Sequence, residues 1–283
     1  KQKQTTWFVG LGVNQYADTS YNLVYSAKDI RDMARSFTKM YPDIIIDTLL
    51  NKQVTLKNIE LLKHRLKKVK VTDRVILAVT GHGLLNDSLD FYYATYDVDF
   101  NKPGLKGLKY ELLESILNNT AARQKLLLID ACHSGMIDKT SAAKNNDVPG
   151  NTDSSVIAKK SKGARGLIVN KGAGIGEINE FNLMQNLFAD FSNDNGIVVI
   201  SAAGGTEYAF ESEKWRNGVF TYCLLKGLEE KEPDKKIAGG NEDGKISVQE
   251  LMRYVSIKVP ELTKGKQRPT SRRENLEFDW DLR

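Results

Sequence analysis

Unbroken apolar runs alternate along this chain with stretches whose apolar residues recur every three to four positions. The run TWFVGLGVNQY (Thr6 to Tyr16) is β-branched and aromatic and closes in turn formers, which predicts a buried strand. AKDIRDMARSF then places Ala27, Ile30, Met33, Ala34 and Phe37 on one helical face. DIIIDTLL (Asp43 to Leu50) reads as a second strand. In TLKNIELLKHRLKKV, Leu56, Ile59, Leu62, Leu66 and Val69 share a face, with Thr55 as a candidate cap. DRVILAVTGHG is a third buried strand that runs into a glycine turn, and YELLESILNN (Tyr110 to Asn119) is a helix. KLLLIDACHSG and GIVVISAAGG (Gly196 to Gly205) are the fourth and fifth strands, and VFTYCLLKGLEE (Val219 to Glu230) is a further helix.

Apolar strands without polar alternation, separated by amphipathic helices, predict an α/β fold: a mostly parallel sheet covered by helices on both faces. In such folds ligand chemistry sits at the carboxyl ends of the strands. TGHG and DACHSG both lie at predicted carboxyl ends and are expected to face one crevice. The stretch from 136 to about 195 differs, being polar, lysine-rich and poor in large apolar residues. It reads as a long surface loop, with a helical period returning over Phe181 to Phe191. No internal repeat is visible.

The chain has 283 residues, 41% hydrophobic and 27% charged, with a net charge of +5. Its lysines are spread along its whole length, the pattern of a solvated basic surface, so neither nucleic acid nor membrane is expected as a partner. No run reaches the roughly 18 apolar residues of a membrane span, and no signal-peptide pattern opens the chain. Two cysteines, at 132 and 223, make no disulfide framework or zinc spacing. Such sparse usage fits a reducing, cytoplasmic compartment. The first residue is Lys1, and the chain reads as a fragment of a longer protein.

The chemistry concentrates in one cysteine and three histidines. His64 lies among lysines on the predicted second helix, where a solvated residue is the default. His133 follows Cys132 directly, and adjacent side chains on an extended backbone point apart, which places it poorly to take the cysteine's proton. His82 sits between two glycines at the end of another strand, where bare glycines permit close approach of backbone or substrate. A thiol is only partly ionised at neutral pH, and a nearby imidazole raises the thiolate fraction or removes the proton. Taken singly, the cysteine reads as a small buried hydrophobe and the histidine as inert. As a pair at two strand ends they read as a nucleophile and its acid/base.

LAVTGHG and LLLIDACHSG resemble the two catalytic motifs of caspase-like cysteine peptidases, with 50 positions between His82 and Cys132. The aspartate two before the cysteine and the His-Ser-Gly after it resemble metacaspases and bacterial caspase-like domains more closely. GLGVNQY, YSAKDIRDM, FYYATYDVDF, VVISAAGGTEYAFES and NGVFTYCLLKGL extend the likeness over nearly the whole chain. The resemblance implies one caspase-like domain over residues 1–283, a three-layer sandwich. Residues 1–135 correspond to a large-subunit half, 136–195 to the joining loop, and 196–283 to a small-subunit half. It implies attack by Cys132 on a peptide carbonyl, His82 as acid/base, and backbone N–H groups of Gly83 and Cys132 as oxyanion hole. The third triad member in this family is absent or a backbone carbonyl.

The caspase signature has Gln where this chain has Asp130. A carboxylate on the pocket floor repels an acidic substrate side chain and attracts Arg or Lys. By the same resemblance Asp29, in SAKD, joins Asp130, and Ser26, Thr80 and Ser201 complete the substrate-binding set. Two carboxylates suit a bidentate guanidinium. The alternative readings are a helix-dipole acid for Asp29 and a turn residue for Asp130. Asp87, Asp90 and Asp97 read as solvated loop acids or as sources of negative potential near the cleft.

Three features stay open. The lysines and Arg165 of the 136–195 stretch suit such a pocket, so self-cleavage and a plain surface loop are equal expectations. GGNEDGKISVQE resembles an EF-hand loop from Gly239 to Glu250, with Asn241, Asp243, Ser247 and Glu250 at ligand-type positions and Gly239 where a first Asp belongs. Ser247 and Glu250 equally read as a capping box for the helix VQELMRYV. No cofactor is needed for the chemistry, while calcium as an activator is open. Cys223 falls on an apolar helix face and reads as core. The expected partners are protein or peptide substrates with basic residues at the cleaved bond, and a sensor domain on the rest of the chain. A non-catalytic caspase-like binding module and another thiol hydrolase or acyltransferase are the competing functions.

Overall fold

The structure is a computed structural model and describes residues 3–86, 88, 90–131, 196–204, 209–273 and 279–283. Its centre is a six-stranded sheet. In chain order the strands are β1 (Thr6–Gly12), β2 (Ile45–Leu50), β3 (Arg74–Thr80), β7 (Gln124–Asp130), β8 (Ile197–Ser201) and β11 (Thr270–Arg273). In space they run β11-β8-β7-β3-β1-β2, all parallel except β11, which pairs antiparallel with β8. The α-helices among the described residues are α1 (Ser26–Met40), α2 (Leu56–Leu66), α3 (Tyr110–Asn118), α4 (Val219–Glu230) and α5 (Val248–Thr263).

Alternation along the strands sorts the core into two layers. Val9, Val75, Leu77, Val79, Leu127, Ile129 and Val199 point to the face covered by α2 and α3. Phe8, Ile76, Ala78, Leu126, Leu128, Val198 and Ile200 point to the face covered by α1, α4 and α5. All seven residues of β3 are buried, which is why this strand has no polar alternation in sequence. Thr55 caps α2 by accepting from the Asn58 N–H at 3.3 Å, as its position before the periodic run predicts.

Several expectations need correction. The first strand stops at Gly12 instead of running to Tyr16: past the Val13 N–H bond to the Thr80 carbonyl at 3.1 Å, the Asn14 and Gln15 N–H groups donate to Asn51 Oδ1 at 3.0 and 3.1 Å instead of to a strand. The second strand begins at Ile45 and forms the sheet edge, so Ile45 and Ile46 are 41% and 40% exposed and not covered. Leu56, expected on the buried face of its helix, is 37% exposed. Val69 is buried, but lies beyond the helix end at Leu66. The expected helix over Phe181 to Phe191 and the rest of 136–195 lie outside the described residues.

Two small antiparallel sheets frame the carboxyl ends. β4 (Gly83–Leu85), β5 (Phe91–Tyr93) and β6 (Leu108–Lys109) make one. β9 (Glu211–Ser212) and β10 (Asn217–Gly218) make the other. At the opposite end of the sheet the Arg74 guanidinium lies between the rings of Tyr41 and Trp280, 5.0 and 4.8 Å from their centroids. It also donates to the Asp281 carbonyl at 2.8 Å, which ties residues 279–283 to the amino ends of the strands.

Candidate active site

The register of the central strands builds the site. Thr80 and Asp130 are partners at the carboxyl ends of β3 and β7. One residue on, the Gly81 N–H donates to the Asp130 carbonyl at 3.3 Å. The chain can turn there because Gly81 has φ +153°, and a β-carbon on it would lie 2.9 Å from Tyr16 Oη. The turn places His82 one residue past that bond to β7. Ala131, fully buried, continues that strand end. Cys132 and His133 lie outside the described residues.

His82 is fully buried. Its N–H donates to Tyr16 Oη at 3.0 Å, and its carbonyl accepts from the Ala94 N–H at 2.9 Å. The ring Nε2 lies 2.8 Å from the Tyr21 carbonyl. A carbonyl only accepts, so Nε2 carries the proton and Nδ1 is the basic nitrogen of the neutral ring. The Tyr16 and Phe100 rings flank the imidazole at 5.3 and 5.8 Å between centroids. Phe100 in turn stacks on Tyr21 at 3.7 Å. These aromatics fix the ring plane, and the carbonyl fixes its tautomer. Gly83 follows as the first residue of β4, buried and paired with Tyr93.

The residues expected to bind substrate also converge. The Thr80 hydroxyl donates to the Ser26 carbonyl at 2.7 Å, joining the end of β3 to the start of α1. Ser26 is fully buried, and its Oγ has no hydrogen-bond partner among the described residues. Asp29, on the first turn of α1, is fully buried and accepts from Asn217 Nδ2 at 2.7 Å and the Gly218 N–H at 3.2 Å. Asp130, also buried, accepts from the Thr221 hydroxyl at 2.6 Å and the Thr221 N–H at 3.3 Å. Gly218 is the N-cap of α4 and Thr221 stands three residues further, so both carboxylates sit at the positive end of that helix. Ser201 ends β8 beside Ile129, and its hydroxyl donates to the Ala203 carbonyl at 3.1 Å.

Other candidates lie apart from this cluster. Cys223 is buried on α4, and burial pushes its thiol up to about 12. His64 is exposed on α2. Asp90 and Asp97 pair with Lys109 and Lys106 at 3.7 and 2.9 Å, and Asp87 is outside the described residues. In the EF-hand-like stretch, Ser247 and Glu250 form the capping box of α5. Glu250 accepts from the Asn241 and Ser247 N–H groups at 3.0 and 2.9 Å. The Asp243 N–H is held by Asn241 and by Asp234, the latter outside the ligand-type positions. Among the described residues no group of three or more His, Cys, Asp or Glu side chains is arranged to hold a metal ion. No helix there is long and apolar enough to cross a membrane.

Sequence patterns missed Tyr16, Tyr21 and Phe100 around the histidine, and Asn217 and Thr221 around the carboxylates. Asn217-Gly218 carried a turn signal just before the apolar helix run. Thr221 carried none, since a threonine inside VFTYCLL looks like ordinary core.

No curated protein matches the chain. The fold matches that of a Geobacter sulfurreducens protein solved in a structural-genomics programme. The TM-score is 0.60 at 18% sequence identity, over 95% of this chain and 92% of that one. The family model of the caspase domain matches residues 9–279. That span takes in the histidine turn, the end of β7 and both helices that close on the carboxylates, and so this chain belongs to the caspase domain family of cysteine peptidases.

Proposed function

We propose that the chain is a metacaspase-type endopeptidase that cleaves after Arg or Lys. The observation that carries this reading is the His82 turn. Its ring is buried, its Nε2–H is held by the Tyr21 carbonyl, and its neighbour Gly81 is hydrogen-bonded to Asp130, two residues before Cys132.

His82 takes the Cys132 thiol proton, and the thiolate attacks the scissile carbonyl carbon to form a tetrahedral oxyanion, received by the N–H groups of Gly83 and Cys132. Collapse breaks the C–N bond. His82 gives a proton to the departing amine and leaves a thioester on Cys132. Water, deprotonated by His82, then adds to the thioester; the C–S bond breaks, the acid product leaves, and His82 returns the proton to the Cys132 sulfur. Asp29 and Asp130 supply the negative charge that selects a basic side chain, with Ser26, Thr80 and Ser201 beside them. The chemistry requires no cofactor, and the role open to calcium is that of an activator.

Fluorogenic peptides ending in Arg, Lys or Asp test this, with and without calcium. Cleavage after Arg or Lys that disappears in Cys132→Ala and His82→Ala is the expected result. Cleavage retained in Cys132→Ala sinks the mechanism, and cleavage after Asp sinks the pocket assignment. No thiol-dependent cleavage of any peptide favours a binding module.

A further inference from the structure

Glu211 opens β9 and is only 6% exposed; it contacts Val24, 187 positions earlier in the chain. Its carboxylate accepts from two successive backbone N–H groups, Val24 at 2.8 Å and Tyr25 at 3.2 Å. These are the last peptide groups before α1, and Tyr25, at the N-cap position, makes no side-chain cap. Glu211 therefore caps α1 from the other half of the chain, with its charge at the helix's positive end. The Val24 side chain is 63% exposed, so this segment is held through its backbone and not by burial of that side chain.

Three residues before Val24 stands Tyr21, whose carbonyl accepts from His82 Nε2. The intervening backbone is short and braced: Leu23 N–H donates to the Asn14 carbonyl at 3.0 Å, and Asn22 Oδ1 accepts from the Tyr16 N–H at 2.8 Å. Only Asn22 and Leu23 separate the Glu211-held N–H groups from Tyr21, so a displacement of Val24 and Tyr25 larger than those two bonds absorb reaches the Tyr21 carbonyl. We propose that Glu211 is a positioning residue for His82: by fixing Val24 and Tyr25 it fixes the Tyr21 carbonyl, and with it the orientation and tautomer of the imidazole. The proposal rests on the reading of His82 as the acid/base. It also makes one segment, residues 211–221, set both the histidine and, through Asn217, Gly218 and Thr221, the two pocket carboxylates.

The test compares the wild-type chain with Glu211→Gln, which keeps one acceptor oxygen, and Glu211→Ala, which keeps none. Ring nitrogens are read by NMR on ¹⁵N-histidine-labelled protein, with His64 as internal control. The wild type shows the Nε2–H tautomer at His82, and both variants show averaged His82 nitrogens. In peptide cleavage kcat falls about tenfold in Glu211→Gln and about a hundredfold in Glu211→Ala, the scale of loss from a small misplacement of a reacting group, while KM changes less than about twofold. Folded variants with unchanged His82 nitrogens overturn the proposal, whatever happens to kcat. If Glu211→Ala does not fold, the Glu211→Gln spectrum decides alone. A wild-type chain without cleavage sinks the peptidase reading, and the His82 spectra still decide the role of Glu211.

Discussion

The Thr221 hydroxyl donates to the buried carboxylate of Asp130 at 2.6 Å, joining the start of α4 to the end of β7. A hydrogen bond to a buried charge contributes about 1.5–3 kcal/mol. Thr221→Val keeps the shape and removes the donor. It should lower the thermal midpoint by about 3–10 °C, with Thr221→Ser restoring most of the loss. Equal midpoints for wild type and Thr221→Val would show that the bond contributes nothing.

The two cysteines should differ sharply in reactivity. Burial pushes the Cys223 thiol up to about 12, so at neutral pH it is protonated as well as inaccessible. Iodoacetamide at pH 7.5 should place one adduct on the native wild-type chain, on Cys132, and two after denaturation. Mass spectrometry of Cys132→Ala should then show none and one. An adduct on native Cys223 would contradict its burial.

Asp32 gives an acid-side prediction. Burial opposes its ionisation, but hydrogen bonds from Lys28 and Asn217 and the charges of Lys28 and Arg35 outweigh that and hold its carboxyl below the usual carboxylate range. A depressed native pKa contributes stability that is present above the unfolded value, near pH 4, and is lost as pH falls through the native one. Urea unfolding from pH 7 down to pH 3 should therefore show Asp32→Asn less stable than wild type at pH 7, with the gap closing in acid. A gap that stays constant across this range would refute the linkage.

The pairing of β7 with β8 should hold two chain pieces together. Five registered pairs, from Lys125↔Ile197 to Ile129↔Ser201, join the segments on either side of 132–195, and the layer covered by α1, α4 and α5 draws on both. A chain cut at a protease site inserted after Gly150 should elute from a sizing column as one species containing both pieces. Separation of the pieces without denaturant would show that the covalent link is required.

Much of this fold is legible from apolar periodicity alone. β3, β7 and β8 are buried on both faces, so their sequences are nearly unbroken apolar runs, and α4 begins and ends at the residues its period predicts. The edge position of β2 was not legible, since DIIIDTLL has the composition of a central strand and only its pairing leaves Ile45 and Ile46 exposed. The small sheets escaped because two- and three-residue strands carry no period. Within the site, His82 stood out through its flanking glycines. Its carbonyl partner Tyr21 did not, because a backbone carbonyl leaves no mark on residue type. Thr221 and Asn217 meet their carboxylates across 91 and 188 positions, and nothing local encodes such contacts.

The strand order has a consequence for synthesis. β7 ends at Asp130, and its neighbour β8 starts at Ile197, 67 residues later. At about 5–20 residues per second, a ribosome needs roughly 3–13 s to supply the missing strand. During that interval β7 presents a bare edge, and one layer of the core lacks α4 and α5. Until β8 and the helices after it emerge, the β7 edge therefore stays open to pairing with other chains.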